Sequence, residues 1–187
     1  MSNESENKAK DLFKNIETER LLLRKITDED AEQLYKNIYN DFEYCKYYYQ
    51  LPFETFENYK PLVEKYKEYY DNGNHFRWCI VLKDTNEIIG TILLHTKNLL
   101  DNNCKIGYIL GKKYTKKGYA KEAAKAVINF GLNRVKFHRI DAEIVEDNID
   151  SIKLAEAVGM HFESLREDGY KIGDNYYNQK IYTLINK

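Results

Sequence analysis

The apolar positions along this chain change period several times, and each change marks an element. Leu21, Leu22 and Leu23, flanked by Arg20, Arg24 and Lys25, read as a first strand. Thr27-Asp28-Glu29-Asp30, a hydroxyl residue with an acid three positions on, predicts a capping box that opens a helix carrying Leu34 and Ile38. Tyr59, Leu62, Val63, Tyr66, Tyr69 and Tyr70 fall at helical spacing. That helix is expected to begin near Asn58, with Pro61 in its first turn and Gly73 at its end. The runs Phe76–Leu82 and Ile88–Leu94 flank Asp84-Thr85-Asn86-Glu87 and predict a β-hairpin. Lys105–Leu110 alternates, with Ile106, Tyr108 and Leu110 on one face and Gly107 and Ile109 on the other.

After a short loop, Ala120, Ala123, Ala124, Val127, Ile128, Gly131 and Val135 make one stripe of a long helix whose small residues allow close packing on a sheet. Arg139–Val145 predicts a further strand, and Ser151–Val158 a short helix stopped by Gly159. Phe162–Leu165 and Tyr176–Ile185 predict two final strands. The fold class is α/β, an α+β mixed sheet of about seven strands, and the hairpins exclude an all-parallel arrangement. Residues 1–15 are polar and read as a flexible tail, leaving 16–187 as one domain.

Composition narrows the function. With 187 residues the chain is long enough to bury a real core, and a net charge of −1 offers no basic field for nucleic acid. No apolar run approaches the roughly 18 to 20 residues needed to span a membrane, and the N-terminus lacks the apolar segment of a secretory signal. Cys45, Cys79 and Cys104 are widely spaced and odd in number, which speaks against a disulfide framework and a zinc site and points to a reducing cytoplasm. There is no G-x-G-x-x-G after the first strand, no G-K-[ST] and no G-x-S-x-G, so Rossmann, P-loop and hydrolase readings fail. The 17 tyrosines carry little weight alone, although Tyr44–Tyr49 would suit a site for an amine as well as a core.

The chemistry concentrates in Thr115-Lys116-Lys117-Gly118-Tyr119-Ala120-Lys121-Glu122-Ala123, between a strand and a helix start. Such a turn gathers backbone N–H groups at the positive end of a helix dipole, where a phosphate or pyrophosphate fits. With this stretch, four others resemble the GNAT superfamily of acetyl-CoA-dependent N-acetyltransferases in its ribosomal-protein N-acetyltransferase-like branch. They are Ile16-Glu17-Thr18-Glu19-Arg20-Leu21-Leu22-Leu23-Arg24 followed by Asp30, Ile89-Gly90-Thr91, Ile106-Gly107-Tyr108-Ile109-Leu110, and Asn148-Ile149-Asp150-Ser151 with Leu154, Gly159 and Met160.

The resemblance implies a sheet splayed between Lys105–Leu110 and Arg139–Val145. Tyr108, Ile109 and Leu110 would hold the pantetheine arm of acetyl-CoA, the N–H groups of Lys116, Lys117, Gly118, Tyr119, Ala120 and Lys121 its pyrophosphate, and Asn148 the arm from the other side. It implies no metal. Its reaction is direct attack of a primary amine, a protein N-terminus or a small molecule, on the thioester; a non-catalytic acyl-CoA-binding module is the alternative. The backbone N–H of Ile109 would be the oxyanion donor, Ser151 the thiolate acid or else a helix cap, and His95 a base, with Glu143, Glu146 and Asp147 as carboxylate candidates. A monomer or homodimer fits the family. Two departures stand out: Lys116 where the family has glycine, and Lys105 and Ala155 where many members carry Glu and Tyr.

Overall fold

The computed structural model describes residues 12–45, 47–48, 53–72, 75–95 and 101–187. Eight strands form one sheet in the order β1-β2-β3-β4-β5-β6-β8-β7. They are β1 (Ile16–Glu17), β2 (Leu21–Arg24), β3 (His75–Leu82), β4 (Ile88–His95), β5 (Asn103–Leu110), β6 (Arg139–Val145), β7 (His161–Ile172) and β8 (Asn175–Ile185). All neighbours are antiparallel except β5 and β6, which run parallel.

Helices cover both faces. On one lie α1 (Ala31–Leu34), which continues as a π-helical turn at Tyr35–Tyr39, α2 (Phe42–Cys45) and α3 (Phe56–Asn72). On the other lie α4 (Tyr119–Phe130) and α5 (Ile149–Ala157). Strand alternation divides the core accordingly. β3 sends Phe76, Trp78 and Ile80 toward the α4 side, and Cys79 and Val81 toward α1 and α3. On β5, Ile106 and Leu110 join the first cluster and Ile109 the second, as the alternation predicts.

The sheet has one strand more than expected, because the two-residue β1 is too short to leave a hydrophobic period. β7 runs well past the expected Phe162–Leu165, to Ile172, whereas β8 matches the expected Tyr176–Ile185 to within one residue. Their outer half is an exposed hairpin, turned at Gly173 (φ 59°) and irregular near Asp168 (φ 50°), so its residues needed no apolar alternation. Leu12 and Phe13, inside the expected tail, pack on the core. Phe13 stacks on Trp78 at 5.1 Å and the Trp78 indole N–H donates to the Lys14 carbonyl at 2.8 Å. Gly73 lies outside the described residues.

α3 starts earlier than expected, at Phe56, because the Thr55 hydroxyl oxygen accepts the Asn58 N–H at 3.2 Å and opens the helix there. Pro61 therefore sits inside the helix rather than in its first turn. Its missing N–H leaves the Glu57 carbonyl to water, on an exposed face.

The predicted capping box is present. Asp30 Oδ2 accepts the Thr27 N–H at 2.8 Å, and Arg24 grips the same carboxylate through Nη1 at 2.6 Å and Nη2 at 2.8 Å. Asp30 is thus an internal tie between β2 and α1, not a surface charge. Burial pushes its carboxyl up, but the Arg24 and Thr27 bonds outweigh burial and hold it below the usual carboxylate range. Arg24→Met should cost about 3 kcal/mol in urea unfolding, since it strands a buried charge. The pair stabilises the fold fully above the unfolded carboxyl value of about 3.9 and loses its effect as pH falls through the lower folded value. The gap between wild type and variant is therefore expected to narrow below about pH 4.

Candidate active site

β5 and β6 pair only at Asn103–Arg139, Cys104–Ile140 and Lys105–Asp141. Beyond those rungs β4 keeps its register with β5 as far as Leu110, while β8 keeps its own with β6 as far as Val145. The two half-sheets therefore part, as expected. A cleft of about 520 Å³ stands in the gap, lined by residues of β5, the following loop, the starts of α4 and α5, and Tyr44, Tyr47 and Tyr48. Of the residues expected to hold the cofactor, Tyr108, Ile109, Leu110, Lys116, Gly118, Tyr119, Ala120, Lys121, Asn148 and Ser151 line this cleft. Lys117 does not; its carbonyl accepts Arg20 Nη1 at 3.0 Å. Lys46, Tyr49 and Gln50 lie outside the described residues.

The backbone corrects the assignment of the oxyanion donor. Gly111 N–H donates to the Ile89 carbonyl at 2.8 Å, and Ile109 pairs with Thr91 two residues back along the same ladder. Successive N–H groups of a strand point to opposite edges, so that of Ile109 also faces β4. The N–H groups that face the splay are those of Tyr108 and Leu110.

The loop gathers free backbone N–H groups ahead of α4. Lys116 (φ 60°) and Gly118 (φ 82°) both adopt the left-handed backbone, which turns consecutive N–H groups inward. The first helical bond of α4 runs from Glu122 N–H to the Gly118 carbonyl. The N–H groups of Tyr119, Ala120 and Lys121 thus precede any helix partner. Lys112, Lys116 and Lys121 add charge around the rim. The glycine usual at position 116 is explained by its φ, and the lysine here bears the steric cost.

Arg20 and Glu122 brace this loop, a role the sequence did not reveal. One Glu122 carboxylate accepts Thr18 Oγ1 at 2.6 Å, the Arg20 N–H at 2.8 Å and Arg20 Nε at 2.7 Å. The Arg20 guanidinium also lies 4.5 Å from the Tyr119 ring centroid. Both residues stand inside motifs that resembled the family, but 102 positions apart, and only the fold joins them.

At the far side of the cleft, Asn148 caps α5: its Oδ1 accepts the Ser151 N–H at 3.2 Å. The cap is therefore Asn148, and the Ser151 hydroxyl is left for the cleft. Nearby, the Tyr108 hydroxyl is buried with no hydrogen-bond partner at standard geometry. Burial pushes it up to about 12, with the Ser151 side chain drawing it slightly the other way. Tyr44 is likewise raised to about 12, chiefly by burial.

His95 does not line the cleft. It sits at the end of β4 opposite Lys105, where β5 and β6 are still paired, with its ring 4.1 Å from that of His75. Glu143 is held by Lys105 at 2.7 Å and Arg166 at 3.2 Å, and Glu146 by Asn178 at 3.1 Å. Asp150 is the one carboxylate among the lining residues. Among the described residues no group of three or more His, Cys, Asp and Glu side chains could hold a metal, and no helix is long and apolar enough to cross a membrane.

The comparisons agree with this geometry. Residues 20–161 match the acetyltransferase (GNAT) domain model. An uncharacterized N-acetyltransferase of Bacillus subtilis, YoaA, is 31% identical over 175 residues, covering 93% of this chain and 98% of that protein. A GNAT-family acetyltransferase structure from Bacillus anthracis superposes with a TM-score of 0.81 at 28% identity, covering 92% of this chain and 98% of that one. RimL, a ribosomal L7/L12 α-N-protein acetyltransferase solved with coenzyme A, shares the fold at TM-score 0.84 and 16% identity, over 92% and 98% of the two chains. The chain belongs to the GNAT family of acetyl-CoA-dependent N-acetyltransferases.

Two substitutions in the loop should act in opposite directions. Gly118→Val puts a branched side chain where even a Cβ stands 3.3 Å from Arg20 Nη2, at a φ that disfavours it. Calorimetric titration should show acetyl-CoA binding lost. Lys116→Gly relieves a left-handed strain of about 1 kcal/mol and should raise the melting temperature by about 2 °C with binding retained.

Proposed function

We propose that the cleft catalyses direct attack of a primary amine, entering along the tyrosine wall, on the acetyl thioester lying between β5 and β6. The observation that carries this reading is the free edge of β5. Tyr108 and Leu110 present N–H and carbonyl groups with no strand opposite, which suits the amides of a pantetheine arm as an added strand would. The diphosphate end then falls on the Lys116–Lys121 cradle, and the Asn148 side-chain amide faces the arm from α5.

The Leu110 N–H is the fixed donor for the developing oxyanion; a preorganised backbone donor needs no rearrangement as charge appears. Ser151 is the proton donor to the departing thiolate, with the Tyr108 hydroxyl behind it. A tyrosine that ionises near 12 stays protonated at neutral pH and remains a donor. The ammonium proton of the acceptor leaves through water at the open mouth of the cleft rather than through His95. An acceptor with one reactive amine, either a peptide N-terminus or a small molecule, fits this arrangement, and the three buried thiols suit a reducing cytoplasm.

Thiol release from acetyl-CoA, measured across a panel of peptides, amino acids, polyamines and aminoglycosides, tests the reaction. With an accepted amine, Ser151→Ala and Tyr108→Phe should each lower kcat by about tenfold to a hundredfold, while the dissociation constant for acetyl-CoA moves little. Unchanged kcat in both variants would remove them as the proton source.

A further inference from the structure

Arg77 stands in β3 on the face covered by α1 and α3, and only 6% of it is exposed. Arginine is rarely buried this deeply without a carboxylate, because removing a full charge from water costs several kcal/mol. Yet among the described residues no acid is in ion-pair contact with it. Its guanidinium lies 4.3 Å from the Tyr66 ring centroid, Nη1 donates to the Tyr48 hydroxyl at 3.1 Å, and Nε is buried without a partner. Asp30, the one acid buried among the described residues, is already gripped by Arg24. Among the described residues, the contacts of this positive charge are with tyrosines.

That charge stands behind the cleft, since Arg77 is not a lining residue but its partner Tyr48 is. Tyr48 lines the cleft beside Tyr44 and Tyr47. Because the Tyr48 oxygen accepts from Arg77, its own O–H is the group left to donate. A guanidinium pulling on the oxygen makes that O–H a stronger donor. The field of an uncompensated cation in a low-dielectric surround also acts well beyond hydrogen-bond distance. In the sheet, the residue beside Arg77 on β4 is Leu93, followed by Gly107 on β5, so nothing bulky and polar intervenes along that row.

We infer that the Tyr48 hydroxyl, backed by the Arg77 guanidinium, is a carboxylate subsite for the acceptor, so that the preferred amine also carries a carboxylate. The substrate class is then amino-acid-like: an amine that reacts and an acid group that anchors it. Asp150, the carboxylate among the lining residues, supplies the opposite pole for the ammonium. Polyamines and aminoglycosides, which bring only positive charge toward Arg77, are disfavoured. Arg77 acts through Tyr48 and is a positioning residue.

The inference rests on the amine being acetylated in this cleft, and its test reads binding rather than turnover. Coenzyme A is titrated first, then acid and amide pairs of acetylated amino acids (N-acetylalanine against N-acetylalanine amide, and the glycine and serine equivalents) into the coenzyme A complex. The acids should bind about tenfold or more tightly than the amides, as expected when a charge-assisted bond is gained. That preference should vanish in Arg77→Met, shrink in Tyr48→Phe and survive in part in Arg77→Lys, with coenzyme A affinity unchanged in all three. Equal binding of acid and amide, binding of neither, or an undiminished preference in Arg77→Met overturns the subsite while leaving the cofactor cleft intact. Failure of coenzyme A itself to bind overturns the cofactor assignment and the subsite with it. Should Arg77→Met not fold, the wild-type comparison and Tyr48→Phe decide the matter alone.

Discussion

Everything this protein offers a ligand depends on a hydrogen-bond ladder that stops. β5 and β6 share three rungs and then separate, because each is committed along its length to a different neighbour. Sheet twist accumulates on both sides of that seam, and a parallel pair joined by few rungs is where it is released. The unpaired N–H and C=O groups that result would be a liability in a buried sheet. Here they face a cleft wide enough for a solvated or ligand-filled state.

A second device fixes the cleft at the loop before α4. A loop with two left-handed residues is not rigid by itself. The Glu122 carboxylate, one turn into α4, gathers the Thr18 hydroxyl, the Arg20 backbone and the Arg20 guanidinium, and the same guanidinium bonds the Lys117 carbonyl. Burial pushes the Glu122 carboxyl up, but these donors prevail and keep it low and ionised. The first edge of the sheet is thereby tied to the loop, and the N–H groups of the loop are aimed without help from the ligand. Preorganisation of this kind reduces what binding must spend on ordering the loop.

Much of this was legible in the chain. The period-two pattern of Ile106, Tyr108 and Leu110 against Ile109 gave the two faces of β5 correctly, since side-chain burial leaves a mark on composition. The direction of the Ile109 N–H left no such mark: it depends on which edge faces β4, and only the register with Thr91 and Ile89 decides it. The same limit hid the Arg20–Glu122 tie and misplaced His95, which was near the cleft along the chain but sits on the paired side of the seam. Ser151 illustrates the opposite case. Its place at a helix start made capping one reading, and one bond, from the Ser151 N–H to Asn148 Oδ1, assigns the cap to Asn148 instead.

The departures from the family pattern can be understood together. Where many relatives carry an acid at position 105, this chain has a lysine, and the acid appears on the adjacent strand as Glu143, 2.7 Å away and also bonded to Arg166. Glu143 thus ties β6 to β5 through Lys105, next to the last rung the two strands share. Arg77, in β3 on the face covered by α1 and α3, is by contrast a cation without an acid partner among the described residues. On a face where the other basic groups near the seam, Lys105, Arg139 and Arg166, are matched by Glu143, Asp141 and Glu163, the unmatched charge is the feature that asks for a ligand.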